Sequence, residues 1–138
     1  MLYAMFAMIL LTFSVAIYMF RLRVAAVKTG KVKLSEFRLN NSANLPDKIT
    51  QASRNYSNLF EVPVFFYIAG TLTITLQLEN AAILILSWIF VGARIAHSWI
   101  HLTSNNVLHR LKAFMLGNIS VFLIWLMLIL QYTANQYN

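Results

Sequence analysis

Four long apolar runs separated by three polar connections set the pattern of this chain. Met1 to Phe20 carries no charge. At 1.5 Å per residue of helix it spans about 30 Å, the thickness of a bilayer's hydrocarbon core. Arg21 and Arg23 follow this run instead of preceding it, the reverse of a secretory signal, so a retained first helix with its N-terminus outside is expected. The polar segment 21–53 comes next. Gly30 and Asn40-Asn41-Ser42 mark turns in it, and Asn44-Leu45-Pro46-Asp47 reads as a helix start. There Asn caps, Pro occupies the first turn and an acid sits near the positive end of the helix dipole. The second helix is expected to begin near Pro46, well before its membrane-crossing part at about 57–77. Leu78-Glu79-Asn80 forms a tight turn, and a third span follows at about 81–102. After Thr103-Ser104-Asn105-Asn106, with Asn106 as the cap, a fourth span covers about 108–131, interrupted only by Gly117-Asn118 and Ser120.

Composition agrees with this pattern. The chain is 59% hydrophobic and only 11% charged, against the roughly 25% charged of a soluble domain. An all-α integral membrane four-helix bundle, one domain over 1–138, is the expected fold, with the lipid bilayer as a partner. The formal charge of +7 would suit nucleic acid, but the basic residues flank the apolar runs, where the positive-inside rule accounts for them. No nucleic-acid partner is expected. Arg21, Arg23, Lys28, Lys31, Lys33, Arg38 and Lys48 place the 21–53 loop in the cytoplasm, while 78–80 and the C-terminal 131–138 hold no Lys or Arg. Both termini are therefore expected outside, in a multi-pass membrane protein. The absence of cysteine excludes a disulfide framework, a thiolate metal site and a cysteine nucleophile.

The chemistry lies in polar residues that a bilayer should resist. Arg54, Asn58 and Glu61, at spacings of four and three, fall within roughly 60° on one face of the second helix. Glu61 is about one turn inside the span, where a carboxylate is costly and normally faces a bundle interior or a watery pocket. Arg94, His97 and His101 share a face of the third helix, and His109 and Arg110 open the fourth. All lie toward the expected cytoplasmic side, where they would form a cationic pocket with one carboxylate, suited to a small anionic or zwitterionic ligand. Plainer readings stand beside this one. Arg94 and Arg110 can snorkel to lipid phosphates, Asn58 and Asn118 can join helices, and Pro63 can serve packing by kinking the helix and freeing the Leu59 carbonyl. His97 and His101 have the spacing of a helical metal pair, but no thiolate or HExxH pattern accompanies them, so no metal site is expected. No phosphate-binding glycine loop or nucleophile-elbow serine is present.

Arg54…Asn58…Glu61…Pro63 on a second helix, followed by Arg94-x-x-His97-x-x-x-His101 and Arg110 across a short loop, resembles the MAPEG family. These are the membrane-associated proteins of eicosanoid and glutathione metabolism, and the chain looks like a bacterial-type member, which implies a bacterial inner membrane. The resemblance implies a homotrimer that binds glutathione between protomers on the cytoplasmic side, with a lipophilic electrophile or hydroperoxide arriving from the bilayer. It implies that Asn58 and Glu61 hold the peptide backbone and ammonium, that Arg54 and Arg94 add positive charge, and that His97 and His101 belong to the same site. Arg110 matches the arginine that faces the thiol in catalytic members. The chain departs from them at His101 and Phe114, where they often carry Tyr, at Leu111, where they carry a hydroxyl, and at Ser57, where the eicosanoid enzymes often carry a basic or polar ligand. Pro63 also sits closer to Glu61 than in many of those enzymes. The implied function is a glutathione-dependent transferase or peroxidase. The alternatives are a non-catalytic protein that has kept the fold, or a small four-span transporter using Glu61.

Overall fold

The structure is a computed structural model and describes residues 1–37 and 45–137. Four helices account for most of it: α1 (Leu2–Lys28), α2 (Asp47–Thr75), α3 (Ala81–Leu102) and α4 (Val107–Gln136), with a short 3-10 turn at Leu34–Phe37. Each of the four is long and apolar enough to cross a membrane, and no strand occurs among the described residues. The all-α four-helix bundle read from the sequence is the observed architecture.

One expectation needs correction. The basic segment from Arg21 does not begin as a loop, because α1 runs on through Arg21 and Arg23 to Lys28. Leu22 and Ala26, four residues apart, keep an apolar stripe going and pack with Val32, Phe37, Leu45 and Ile49 in a small second core. The helix stops where Gly30 takes φ +68°, which lets the Lys31 N–H return to the Ala26 carbonyl at 3.0 Å. The turn expected at Asn40-Asn41-Ser42 and the cap expected at Asn44 lie outside the described residues. Helix α2 begins at Asp47 directly after Pro46.

The later helix starts follow local capping chemistry. Asn80 accepts from the Ile83 N–H at 3.0 Å, and Asn106 accepts from the His109 N–H at 3.1 Å. Each cap is worth about 1 kcal/mol. The Met1 ammonium lies 3.1 Å from Glu79, and residues 131, 134 and 135 share a cavity with 77–80. Both chain ends therefore lie beside the α2–α3 turn, and the basic residues gather at the opposite end of the bundle.

Between the two ends the core is built from Met8, Phe66, Ile83, Phe90 and Ile124. The Phe66 and Phe90 rings stack at 4.4 Å, joining α2 to α3. Polar side chains inside the apolar runs satisfy themselves locally. The hydroxyls of Thr73, Ser87 and Ser120 donate to the carbonyl four residues back, and so does the Asn118 amide, which bonds within its own helix instead of across to another. The outer surface is apolar, with Phe6, Phe13, Trp88, Phe122 and Ile129 exposed.

Gly70 of α2 faces the methionines of α1. A Cβ there would lie 2.6 Å from the Met5 sulfur and 3.1 Å from the Met1 methyl carbon, so these flexible side chains must shift to admit it. Gly70→Ala should therefore lower the thermal unfolding temperature in detergent, at a cost of about 1 kcal/mol, the low end for overpacking. Gly92→Ala, where a Cβ meets nothing within 4 Å, should not lower it. Equal shifts in the two variants would contradict the packing described.

Candidate functional site

The inward face of α2 is a stripe of Ala52, Asn55, Leu59, Phe66, Ala69 and Thr73. Its outward face carries Arg54, Ser57 and Glu61, all exposed, with Asn58 half-buried between the two faces. Glu61 is fourteen residues, or roughly 21 Å, from the far end of the helix, which places it inside a core about 30 Å thick. The three residues expected on one face are thus on one face, and that face looks out of the single bundle.

Helix α3 supplies the interior half. Arg94 is among the largest fully buried side chains, 1% exposed. Its Nη2 donates to the backbone carbonyl of Asn58, tying α3 to α2. Its stem passes Gly117 of α4, where an added Cβ would sit at an ordinary contact distance of 3.6 Å from Arg94 Cδ. Arg94 is therefore not a snorkelling residue. Its Nε and Nη1 are buried without a partner, and Glu61 is near enough to act on it through space without forming a direct ion pair. Asn58 joins helices through its carbonyl and not, as a packing role would suggest, through its amide.

His97 and His101 are buried one turn apart, with ring centroids at 5.9 Å. The His97 Nδ1 lies 3.2 Å from the Arg110 carbonyl. A carbonyl only accepts, so the proton is on Nδ1, and Nε2 is left as a buried acceptor without a partner. Among the described residues no third His, Cys, Asp or Glu completes a metal-binding group with these two.

Arg110 is fixed by the loop before α4. Asn105 takes φ +50°, a left-handed conformation that Asn tolerates better than most residues, and its N–H returns to the Ile100 carbonyl at 2.7 Å. Its side-chain oxygen then accepts from Arg110 Nη1 at 2.8 Å, and the same Nη1 lies 3.4 Å from His101 Nδ1. Beside the guanidinium is a cavity of about 240 Å³ lined by His97, Val107, Arg110, Leu111 and Phe114. His109, one residue earlier, is exposed.

Direct contacts thus join Asn58 to Arg94 across α2 and α3, and His97, His101 and Arg110 to one another across α3 and α4. Arg54 and Glu61 face outward and reach His101 and Arg94 only through space. Sequence reasoning missed Asn55, which is fully buried with both amide atoms lacking partners. The signal was available, because Asn55 falls on the inward stripe three residues from Ala52 and four from Leu59.

A model of the MAPEG family matches residues 1–130. The chain belongs to the MAPEG family. That family consists of membrane proteins and includes glutathione transferases and peroxidases. No characterised protein and no solved structure gave a significant match to the whole sequence. In this MAPEG protein, Leu111 and Phe114, the positions at which catalytic relatives were expected to carry hydroxyls, are apolar walls of the Arg110 cavity.

Arg94 should behave as a structural strut of this site. Arg94→Ala removes a buried stem and leaves the Asn58 carbonyl without its donor, so it should destabilise the fold by about 2–4 kcal/mol in a detergent unfolding series. Arg94→Met keeps most of the stem and removes the buried charge, and should recover a large part of that loss. Unchanged stability in Arg94→Ala would show that the link between α2 and α3 is not needed.

Proposed function

We propose that this MAPEG protein is a glutathione-dependent transferase or peroxidase acting on lipophilic electrophiles or hydroperoxides, and that it works as a homotrimer with its site between copies on the cytoplasmic side of the membrane. The observation that carries the reading is the charge inventory at the basic end of α2, α3 and α4. Three guanidiniums, those of Arg54, Arg94 and Arg110, stand with one carboxylate, Glu61. Glutathione has two carboxylates and a thiol that ionises, together with one ammonium. The residues present therefore match it group for group in sign.

Their placement suggests different roles. Arg54, Asn58 and Glu61 offer surface-accessible polar groups, with Glu61 as the partner of the ammonium and Arg54 as the partner of a carboxylate. Arg94 adds its charge from inside the bundle and holds the Asn58 backbone in place. His97 and His101 form the buried wall behind Arg110. Bound glutathione supplies the sulfur nucleophile, and Arg110, held by Asn105 and backed by His101, is the fixed cation that favours thiolate over thiol. The cavity at Arg110 is lined by α3 and α4 alone, while the Arg54 and Glu61 face of α2 is open. A second copy laid on that face completes the site and removes the charges from lipid.

Two other readings carry less. The apolar Leu111 and Phe114 beside Arg110 favour a MAPEG fold without catalysis. A proton-coupled transporter places its carboxylate near the bilayer midplane, whereas Glu61 lies toward the basic end and on the outer face.

Titration of purified protein with glutathione, followed by thiolate absorbance near neutral pH, should show saturable thiolate formation. Arg110→Ala should lower the thiolate fraction about tenfold or more, equivalent to about 1.4 kcal/mol. Arg110→Lys should restore it only in part, because an ammonium does not reproduce the planar fork of guanidinium. Identical absorbance in wild type and Arg110→Ala would make Arg110 an interfacial anchor only, and absence of binding would favour the non-catalytic reading. Glu61→Gln should weaken glutathione binding far more than it weakens the fold, and native mass measurement in mild detergent should give a trimer. Equal affinity in Glu61→Gln would remove Glu61 from the site, and a monomer at every concentration would contradict the shared site.

A further inference from the structure

A second feature of the basic end is separate from the α2–α4 site. Helix α1 continues about two turns past Arg21, and the chain then folds back so that the 3-10 turn Leu34–Phe37 lies beside it. Between them is a cavity of about 430 Å³, walled by Phe20, Val27, Leu34 and Phe37 and edged by Arg23 and Lys28. Phe20 and Leu34 are 65% and 74% exposed, which is apolar surface with none of the described residues over it. The Arg23 guanidinium lies 5.3 Å from the Phe37 ring centroid and donates to Ser53 Oγ at 3.0 Å. Its Nε is buried without a partner.

Charge and depth say what fits there. Residues 20–37 hold five cations, Arg21, Arg23, Lys28, Lys31 and Lys33, against one carboxylate, Glu36. The first twenty residues of α1 span about 30 Å, so the cavity lies where hydrocarbon gives way to headgroups. Its occupant must be apolar toward Phe20 and anionic toward Lys28. We infer that this cleft binds an anionic phospholipid. The lipid phosphate pairs with Arg23 and Lys28, and the upper methylenes of one chain lie on Phe20, Leu34 and Phe37. A zwitterionic lipid shares the phosphate and chains, but its own cation meets five others and is disfavoured. The 3-10 turn is thereby held on the membrane surface, and the site owes nothing to glutathione.

The test uses the full chain reconstituted in nanodiscs of equimolar phosphatidylglycerol and phosphatidylcholine, followed by gentle extraction and native mass measurement of retained lipid. Wild type should retain phosphatidylglycerol over phosphatidylcholine by on the order of tenfold. Lys28→Gln should cut that preference about fivefold, the usual effect of one cation at an anionic surface. Val27→Trp fills the cleft while keeping all five cations, and should abolish selective retention. Neither variant removes a bond of Arg23, so both should keep the wild-type unfolding temperature. Equal retention of the two lipids by wild type overturns the proposal, as does wild-type preference in either variant. Displacement of the lipid by millimolar glycerol phosphate also overturns it, because the site would then recognise a phosphate and not a lipid.

Discussion

The rest of this molecule depends on a charge placed where lipid should be. Glu61 and Arg54 occupy the outward face of α2, and an acidic or basic side chain near the centre of a membrane helix costs about 2.5–3.5 kcal/mol even on the lenient insertion scales. Glu61 is toward one end, which lowers that figure, yet nothing in a single bundle covers it. Arg94, buried in α3 against the Asn58 turn of α2, has two nitrogens without partners. A single bundle thus carries an open carboxylate and, near it, an under-satisfied guanidinium. The proposed trimer and the proposed anionic, zwitterionic ligand each answer a part of that imbalance.

The wiring between helices explains how these groups are held. Arg94 bonds the Asn58 carbonyl one residue before the Leu59 carbonyl, whose helical partner is lost to Pro63. The side of α2 that presents Asn58 and Glu61 is therefore braced from α3 at the place where its own ladder is weakest. The brace packs beside Gly117 of α4, and the His97 bond to the Arg110 carbonyl ties the start of α4 to the next turn of α3. Helix α3 thus braces positions on both α2 and α4, which is what the proposed glutathione site would require of its walls.

Much of this was legible in the sequence. Long apolar runs, charged only at Glu61, at Arg94 and at the start of the fourth, point to helices, and Asn106 before Val107 announced the cap that the structure shows. Helix spacing alone put Arg54, Asn58 and Glu61 together, and Arg94, His97 and His101 together. The extension of α1 was missed because Arg21 and Arg23 were read as the edge of a loop, although Leu22 and Ala26 carry the apolar stripe onward. The burial of Arg94 could not be read, because it depends on how α3 packs between α2 and α4, which the periodicity of a single helix does not specify. Nor could periodicity tell that the polar face of α2 looks outward, since it says which residues share a face and not what that face meets.

In the proposed trimer the face of α2 bearing Glu61 is covered by another copy of the chain. The protein has no cysteine, so Ser57→Cys, exposed on that face, provides a single reactive position. Treatment of membranes containing this variant with a short bis-maleimide should give covalently joined copies, at a yield that does not fall when the protein is diluted into excess lipid. If the variant reacts fully with maleimide yet runs as a single chain at every reagent concentration, the face is open to lipid, and the account of a shared site is wrong.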